Sequence, residues 1–317
     1  MRRPGIFRQL LVATLGLTGP AVAASPEQMV RELRIDDGIA AYREGDFRRA
    51  ARLLNPSARL GDPSARYFIG ALLWRSGYES GARRVMCDLA RSGDAAASNA
   101  CGVAWRDGFG GAASGEEALR WFGAAAGKGD VTAALNLARA LLARGDRAGQ
   151  ARAVDLIDAA RTDPDGAYLR AALADQGIGP ALPGPEVIAL YSAAAAAGHA
   201  EAANVLGNRY DQGDGVPADS VRAADLYARA AAGGSASGAF NYAGALLEGR
   251  GVAADRGAAM SWYLVAGRLA DRPLQAKVSD LIAVVEPTMS RAEQRRAFDL
   301  IQAWRINRPN PKLPIPD

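Results

Sequence analysis

Tyr191-Ser-Ala-Ala-Ala-Ala-Ala-Gly198-His-Ala-Glu-Ala202 is followed by Leu206-Gly207, Tyr210, Gly213-Asp-Gly215-Val216 and Asp219. The chain then repeats itself: Tyr227-Ala-Arg-Ala-Ala-Ala-Gly-Gly234-Ser-Ala-Ser-Gly238, Tyr242-Ala243, Leu246, Gly249-Arg-Gly251-Val252 and Asp255. Tyr191 to Tyr227 and Gly213 to Gly249 are both 36 residues, a period in the range of helical repeat arrays. One copy reads as two helices. The Ala-rich run 187–197 suits the first, Gly198 breaks it, and 200–212 forms the second, with Ala202, Val205 and Leu206 on one apolar stripe. Gly213-x-Gly215 then stops that helix, because a left-handed cap costs glycine little. One hairpin cannot bury its own apolar face, so stacked neighbours are required.

Working upstream from Ala202, a small residue after a Gly/Asp break recurs at Ala65, Ala97, Ala133, Ala167, Ala202 and Gly238, with spacings of 32, 36, 34, 35 and 36. Four positions after each marker stand Ile69, Cys101, Leu137, Ala171, Leu206 and Tyr242. Five positions after stand Gly70, Gly102, Ala138, Ala172, Gly207 and Ala243, always small; eleven before stand Leu54, Met86, Phe122, Leu156, Tyr191 and Tyr227.

The pattern of Tyr191, Gly198, Ala202, Leu206, Gly207, Tyr210, Gly213, Gly215 and Val216, with its second copy, resembles the Sel-one-like repeat (SLR) family, relatives of tetratricopeptide repeats with a longer, glycine-bounded loop. The second copy departs with Gly238 for Ala202 and Ala243 for Gly207, small for small. The resemblance implies an all-α, right-handed α-solenoid of about seven antiparallel helix pairs. The expected layout is a signal peptide over 1–24, a tetratricopeptide-like pair over 25–60, the repeat array over 61–287, a capping helix over 288–305 and a Pro-rich tail over 306–317. Ser290-Arg-Ala-Glu293 is a capping box for that last helix, and Phe298, Ile301 and Trp304 form one stripe on it.

Residues 1–24 combine Arg2, Arg3 and Arg8 with an apolar run from Leu10 to Leu17 and Ala21-Val22-Ala23-Ala24. That is the form of a secretory signal, and the run is too short to span a bilayer. The total charge is +4, and removing three leader arginines leaves about +1. This balance gives no support to a nucleic-acid or membrane-surface role. The expected location is the periplasm or outside the cell, with no membrane span after signal removal.

Candidate chemistry is sparse. The single histidine, His199, falls at the turn between helices and reads as a turn and helix-start residue, with no Ser or Cys nucleophile tied to it by motif. Gly108-Phe-Gly110-Gly111, Gly213-x-Gly215 and Gly249-x-Gly251 follow helices, so they read as helix stops and not phosphate loops. No catalytic, cofactor-binding or metal-binding residues are predicted. Cys87 and Cys101 lie on successive helices joined at Gly93-Asp94, and an oxidising compartment favours their pairing. Cysteine-rich members of the family staple neighbouring helices, and Met86-Cys87-Asp88-Leu89 resembles their first cysteine; Cys101 stands about a turn past their second. Cys101 also occupies the core position of Ile69, Leu137 and Leu206, so simple core filling is the other reading.

Asn99, Asn136, Asn204 and Asn241 recur two or three positions after the marker, and Asn208, Arg209 and Tyr210 follow in the best repeat. In stacked helix-pair proteins the first helix of each pair lines the inner, concave surface. Asparagines there would either hydrogen-bond the backbone of an extended peptide or serve solvation and inter-repeat bonding. Trp74 and Trp105, each followed by Arg, end two of these helices and are either contact residues or packing. The expected function is a non-enzymatic scaffold for a protein or peptide partner on the concave face, by analogy an adaptor or regulator of envelope signalling. The alternative is a protein that binds or hydrolyses cell-wall peptides or β-lactams, as some cysteine-rich relatives do; it requires a serine or acid in a deep pocket beside His199.

Overall fold

The structure is a computed structural model that describes residues 26–306, with side chains described for 34–302. The signal peptide expected over 1–24, the tail from 307 on and the side chain of Trp304 lie outside the described residues. The described residues form sixteen α-helices and one short 3-10 turn, without a strand. In order they are α1 (Pro26–Arg43), α2 (Phe47–Arg59), α3 (Pro63–Arg75), α4 (Glu79–Arg91), α5 (Ala95–Asp107), α6 (Gly115–Ala126), α7 (Val131–Arg144) and α8 (Arg147–Ala159). Then come α9 (Pro164–Asp175), α10 (Gly184–Ala196), α11 (Ala200–Gln212), α12 (Ser220–Gly233), α13 (Ala236–Glu248), α14 (Arg256–Leu269), α15 (Arg272–Val285) and α16 (Arg291–Ile306).

The recurring small residue has a physical identity. In five of the six repeats it is the third residue of its helix, and its backbone N–H is bonded by the side chain of the N-cap three positions earlier. Asp62 accepts from Ala65, Asp94 from Ala97, Asp130 from Ala133, His199 from Ala202 and Ser235 from Gly238. In α9 the cap slips slightly, Asp163 accepting from Asp165 and Gly166. Each cap satisfies a donor that the first helical turn leaves unpaired. Gly198 and Gly213, at φ +94° and +73°, take the left-handed conformation that the two chain reversals of this repeat demand.

Two compact units divide the chain, one ending at Val85 and the other starting at Met86, within α4. In the first, α1 packs on α2 and α2 on α3 around Ile35, Tyr42, Leu54 and Leu72. Tyr42 meets Phe47 and Phe68 edge-on at 5.6 and 5.2 Å between ring centres. In the second unit every helix from α5 to α14 packs on the next in sequence. One core cluster there gathers Val187, Leu190, Tyr191, Leu206, Leu226 and Tyr227 with buried alanines between them.

The always-small position explains how close the helices come. A methyl group on Gly102 would lie 2.6 Å from the Phe122 ring, and one on Gly207 would lie 2.7 Å from the Tyr227 ring. The two sites are 105 residues apart and solve the same packing problem: an aromatic ring on the next helix comes close against bare backbone. At the array's end α14 is covered by α15 and α16. Ser290 and Glu293 form the expected capping box at the head of α16, and Met289, Ala297 and Ile301 close over Met260 and Tyr263. Phe298, on the stripe expected to close that core, is instead 59% exposed, because Ala297 and Ile301 turn the buried side of α16 away from it.

Cys87 on α4 and Cys101 on α5 are joined by a disulfide, with 5.0 Å between their Cα atoms. Cys101 is also wholly buried in the core position of its repeat. The bond and the packing role therefore coincide. Among the described residues no helix is long and apolar enough to cross a membrane.

Candidate binding surface

In the second unit, the helices that carry the markers are α5, α7, α9, α11 and α13. Polar bonds tie each to the next. Asn136 on α7 donates to Asn99 Oδ1 on α5 at 2.9 Å. Arg139 on α7 donates to Asp165 Oδ2 on α9 at 2.7 Å. Arg209 on α11 donates to Asp175 Oδ1 on α9 at 2.6 Å. Asn241 on α13 donates to the carboxamide oxygens of both Asn204 and Asn208 on α11, at 2.9 and 3.1 Å. The asparagines singled out by their spacing thus meet as a pair and a triple.

Their geometry divides the labour. Asn99 and Asn204 are buried, Asn136, Asn208 and Asn241 half-buried. The Asn208 oxygen also accepts the Tyr227 hydroxyl at 2.8 Å, so it is saturated. The Nδ2 groups of Asn204 and Asn208 donate none of these bonds. Arg209 belongs to a different cluster. Its guanidinium bridges Asp175 and Asp214 and lies 5.6 Å from the Tyr191 ring centre, with the side chain only 16% exposed. Tyr191 donates to the other oxygen of Asp175 at 2.8 Å. Burial first, and then this carboxylate, push the Tyr191 phenol far above its ordinary range, so it remains a donor. Tyr210 is a core residue covered by Arg222, 4.4 Å from its ring centre. Trp105 is half-buried at the end of α5, and Trp74 is half-buried at the end of α3 in the first unit.

Spacing did not reveal the acidic half of this network. Asp175 and Asp211 stand 36 residues apart, as do Tyr191 and Tyr227, and Asp211 pairs with Arg250 as Asp175 does with Arg209. The signal was present in the period but carried by single charged residues between apolar markers. Arg170 was also missed. It is 2% exposed, donates to Asp158 at 2.8 Å and to the Pro180 carbonyl at 2.7 Å, and so fastens the irregular loop between α9 and α10.

His199 has Asp165 beside it, Nε2 to Oδ1 at 3.0 Å, and is stacked on Tyr168 with 4.3 Å between ring centres. Its Nδ1 accepts the Ala202 N–H. Both ring nitrogens are engaged, which leaves neither to take a proton from a third group. The hydrogen bond from His199 chiefly, with that from Arg139, holds the Asp165 carboxyl well below the ordinary carboxylate range against the opposing effect of burial. Among the described residues no three His, Cys, Asp or Glu side chains gather as a metal ion requires.

No protein-family model matches the chain, and no curated protein matches it in sequence. Solved structures do. A Sel1 repeat protein from Oxalobacter formigenes superposes with a TM-score of 0.60 at 24% identity, over 75% of this chain and 99% of that one. A Sel1 repeat protein from Klebsiella pneumoniae subsp. pneumoniae matches at 20% identity over 60% and 95% of the two chains, TM-score 0.41. The uropathogenic Escherichia coli protective antigen c5321, which displays an SLR fold, matches at 19% identity over 86% and 76%, TM-score 0.35. The fold is therefore the all-α Sel1-like repeat fold, with the first of these as its support.

Proposed function

We propose that the protein is a non-enzymatic repeat scaffold that holds a protein or peptide partner along the face lined by α9, α11 and α13. After removal of a signal peptide it would do so in the periplasm, as an adaptor or regulator of envelope signalling. The observation that carries the reading is the Asn204–Asn208–Asn241 triple, where bonding between repeats spends the Asn241 amide and the Asn204 and Asn208 oxygens while the half-buried Asn208 amide donates none of these bonds. Donors held rigid by their neighbours suit a backbone carbonyl of an extended segment, because little side-chain freedom is lost on binding. Extended repeat surfaces are well matched to such partners.

The test is a photo-crosslinking amino acid placed at Asn208 in the cell, with Arg152 on the outer helix α8 as control. One discrete adduct from Asn208 and none from Arg152 is expected. Equal labelling from the two positions, or none from Asn208, would sink the reading. Purified protein should also fail to turn over a chromogenic β-lactam; turnover abolished by His199→Ala would favour the hydrolase alternative.

A further inference from the structure

The thirteen residues of α2 read Phe-Arg-Arg-Ala-Ala-Arg-Leu-Leu-Asn-Pro-Ser-Ala-Arg and include no acid. Arg48, Arg49, Arg52 and Arg59 are all exposed, while Ala50, Leu54 and Ser57 are buried on the opposite side. At 3.6 residues per turn, Arg48, Arg52 and Arg59 fall within about 40° of one another, with Arg49 at the edge, along about 16 Å of helix. Among the described residues none of the four makes an ion pair. Arg139, Arg161, Arg209 and Arg250, by contrast, each reach a carboxylate on another element. The nearest acid in sequence, Asp46, has one carboxylate oxygen spent on capping the Arg49 N–H. Arg48 and Arg52 are like charges at i and i+4, an arrangement that destabilises a helix.

We infer that this arginine face of the first unit docks an acidic, extended segment of a partner protein. Along a strand, side chains on one side recur every ~6.6 Å, close to the ~6 Å rise from Arg48 to Arg52. About five residues with acids at alternate positions would cover the stripe as far as Arg59. Every cation on α2 is arginine, whose planar fork takes a carboxylate with two parallel bonds. A lipid surface fits less well. A helix lying in a membrane interface needs an apolar face to insert, and that of α2 is already committed to Tyr42, Leu72 and their neighbours. Nucleic acid fits less well because the exposed stripe has no aromatic ring on which a base would stack; Phe47 lies beneath Arg75, 4.2 Å from its centre. The inference is independent of the asparagine face, which belongs to the other unit.

The experiment measures fluorescence anisotropy of a labelled peptide of five Glu-Ser repeats against the full mature chain. Binding at ~20 mM salt that weakens about tenfold or more by ~200 mM is expected, from loss of charge attraction. Arg48→Ser/Arg52→Ser/Arg59→Ser should weaken it at least about tenfold with an unchanged melting temperature, and the matching triple Lys variant by a few-fold, since charge survives and the fork does not. The single Arg52→Glu change supplies the answer if the triple variant misfolds. Absence of binding by the wild-type chain, or binding untouched by these changes, overturns the inference. So does tighter binding of phosphatidylglycerol vesicles or an oligothymidine that depends on the same arginines.

Discussion

Arg170 shows how much one side chain can hold. It is buried, its charge is balanced by Asp158, and it anchors the carbonyl of Pro180. Truncating Arg170 removes a buried side chain and the donor to the Pro180 carbonyl, while Asp158, 39% exposed, can turn to solvent. Arg170→Ala should therefore cost about 1–3 kcal/mol in urea unfolding, and Arg170→Met less, because it keeps the apolar volume. Asp165 offers a test by pH. Its folded pKa is depressed by His199 and Arg139, so its contribution is present above the unfolded value of about 4 and fades as pH falls below it. Its side chain is 45% exposed, and solvent screening holds the expected loss in Asp165→Asn to about 0.5–1 kcal/mol near neutrality. That gap between variant and wild type should close as the melts are repeated from pH 5 down to pH 2; a gap that widens in acid contradicts the assignment.

At the scale of the element, the close approach of helices rests on absent side chains. Alanine is the better helix former by about 1 kcal/mol, yet Gly102→Ala and Gly207→Ala should each lower stability by about 1 kcal/mol or more. The reason is that each new methyl meets an aromatic ring well inside contact distance. A rise in melting temperature in both variants would show the helices free to separate. The α4–α5 hairpin is held covalently as well. Closing a 14-residue span should contribute about 3 kcal/mol, so a reductant that cleaves Cys87–Cys101 should lower the unfolding free energy by that amount. The elements themselves were legible in the sequence because capping residues, glycine stops and apolar spacing agree at most boundaries; α10, which starts after Pro183 without a side-chain cap, is an exception. The inter-helix polar bonds were not. A period shows that Asn204 and Asn241 are equivalent; it does not show that the amide of one reaches the oxygen of the other.

For the molecule as a whole, the two compact units and the closed end of the array are what a linear pattern leaves open. In the second unit, Met289, Ala297 and Ile301 cover Met260 and Tyr263, and Gly257 lets the α16 backbone come close: a methyl there would meet the Glu293 carbonyl at 3.0 Å. Ending the chain at residue 288 should uncover that core, which enhanced binding of an apolar dye and self-association on a sizing column would register. The sequence by itself determined the helical repeat, its length near 36 residues and the inward-facing residues of the array, though not of the last helix, where Phe298 faces out; the former follow from local propensity and the burial of a periodic stripe. Only the tertiary structure decided which asparagine oxygens are consumed, that His199 is spent between a helix cap and Asp165, and that α2 keeps an unpaired arginine face. Hydrogen-bond partners and ion pairs depend on distances between residues far apart in the chain, and those distances exist only once the helices have packed.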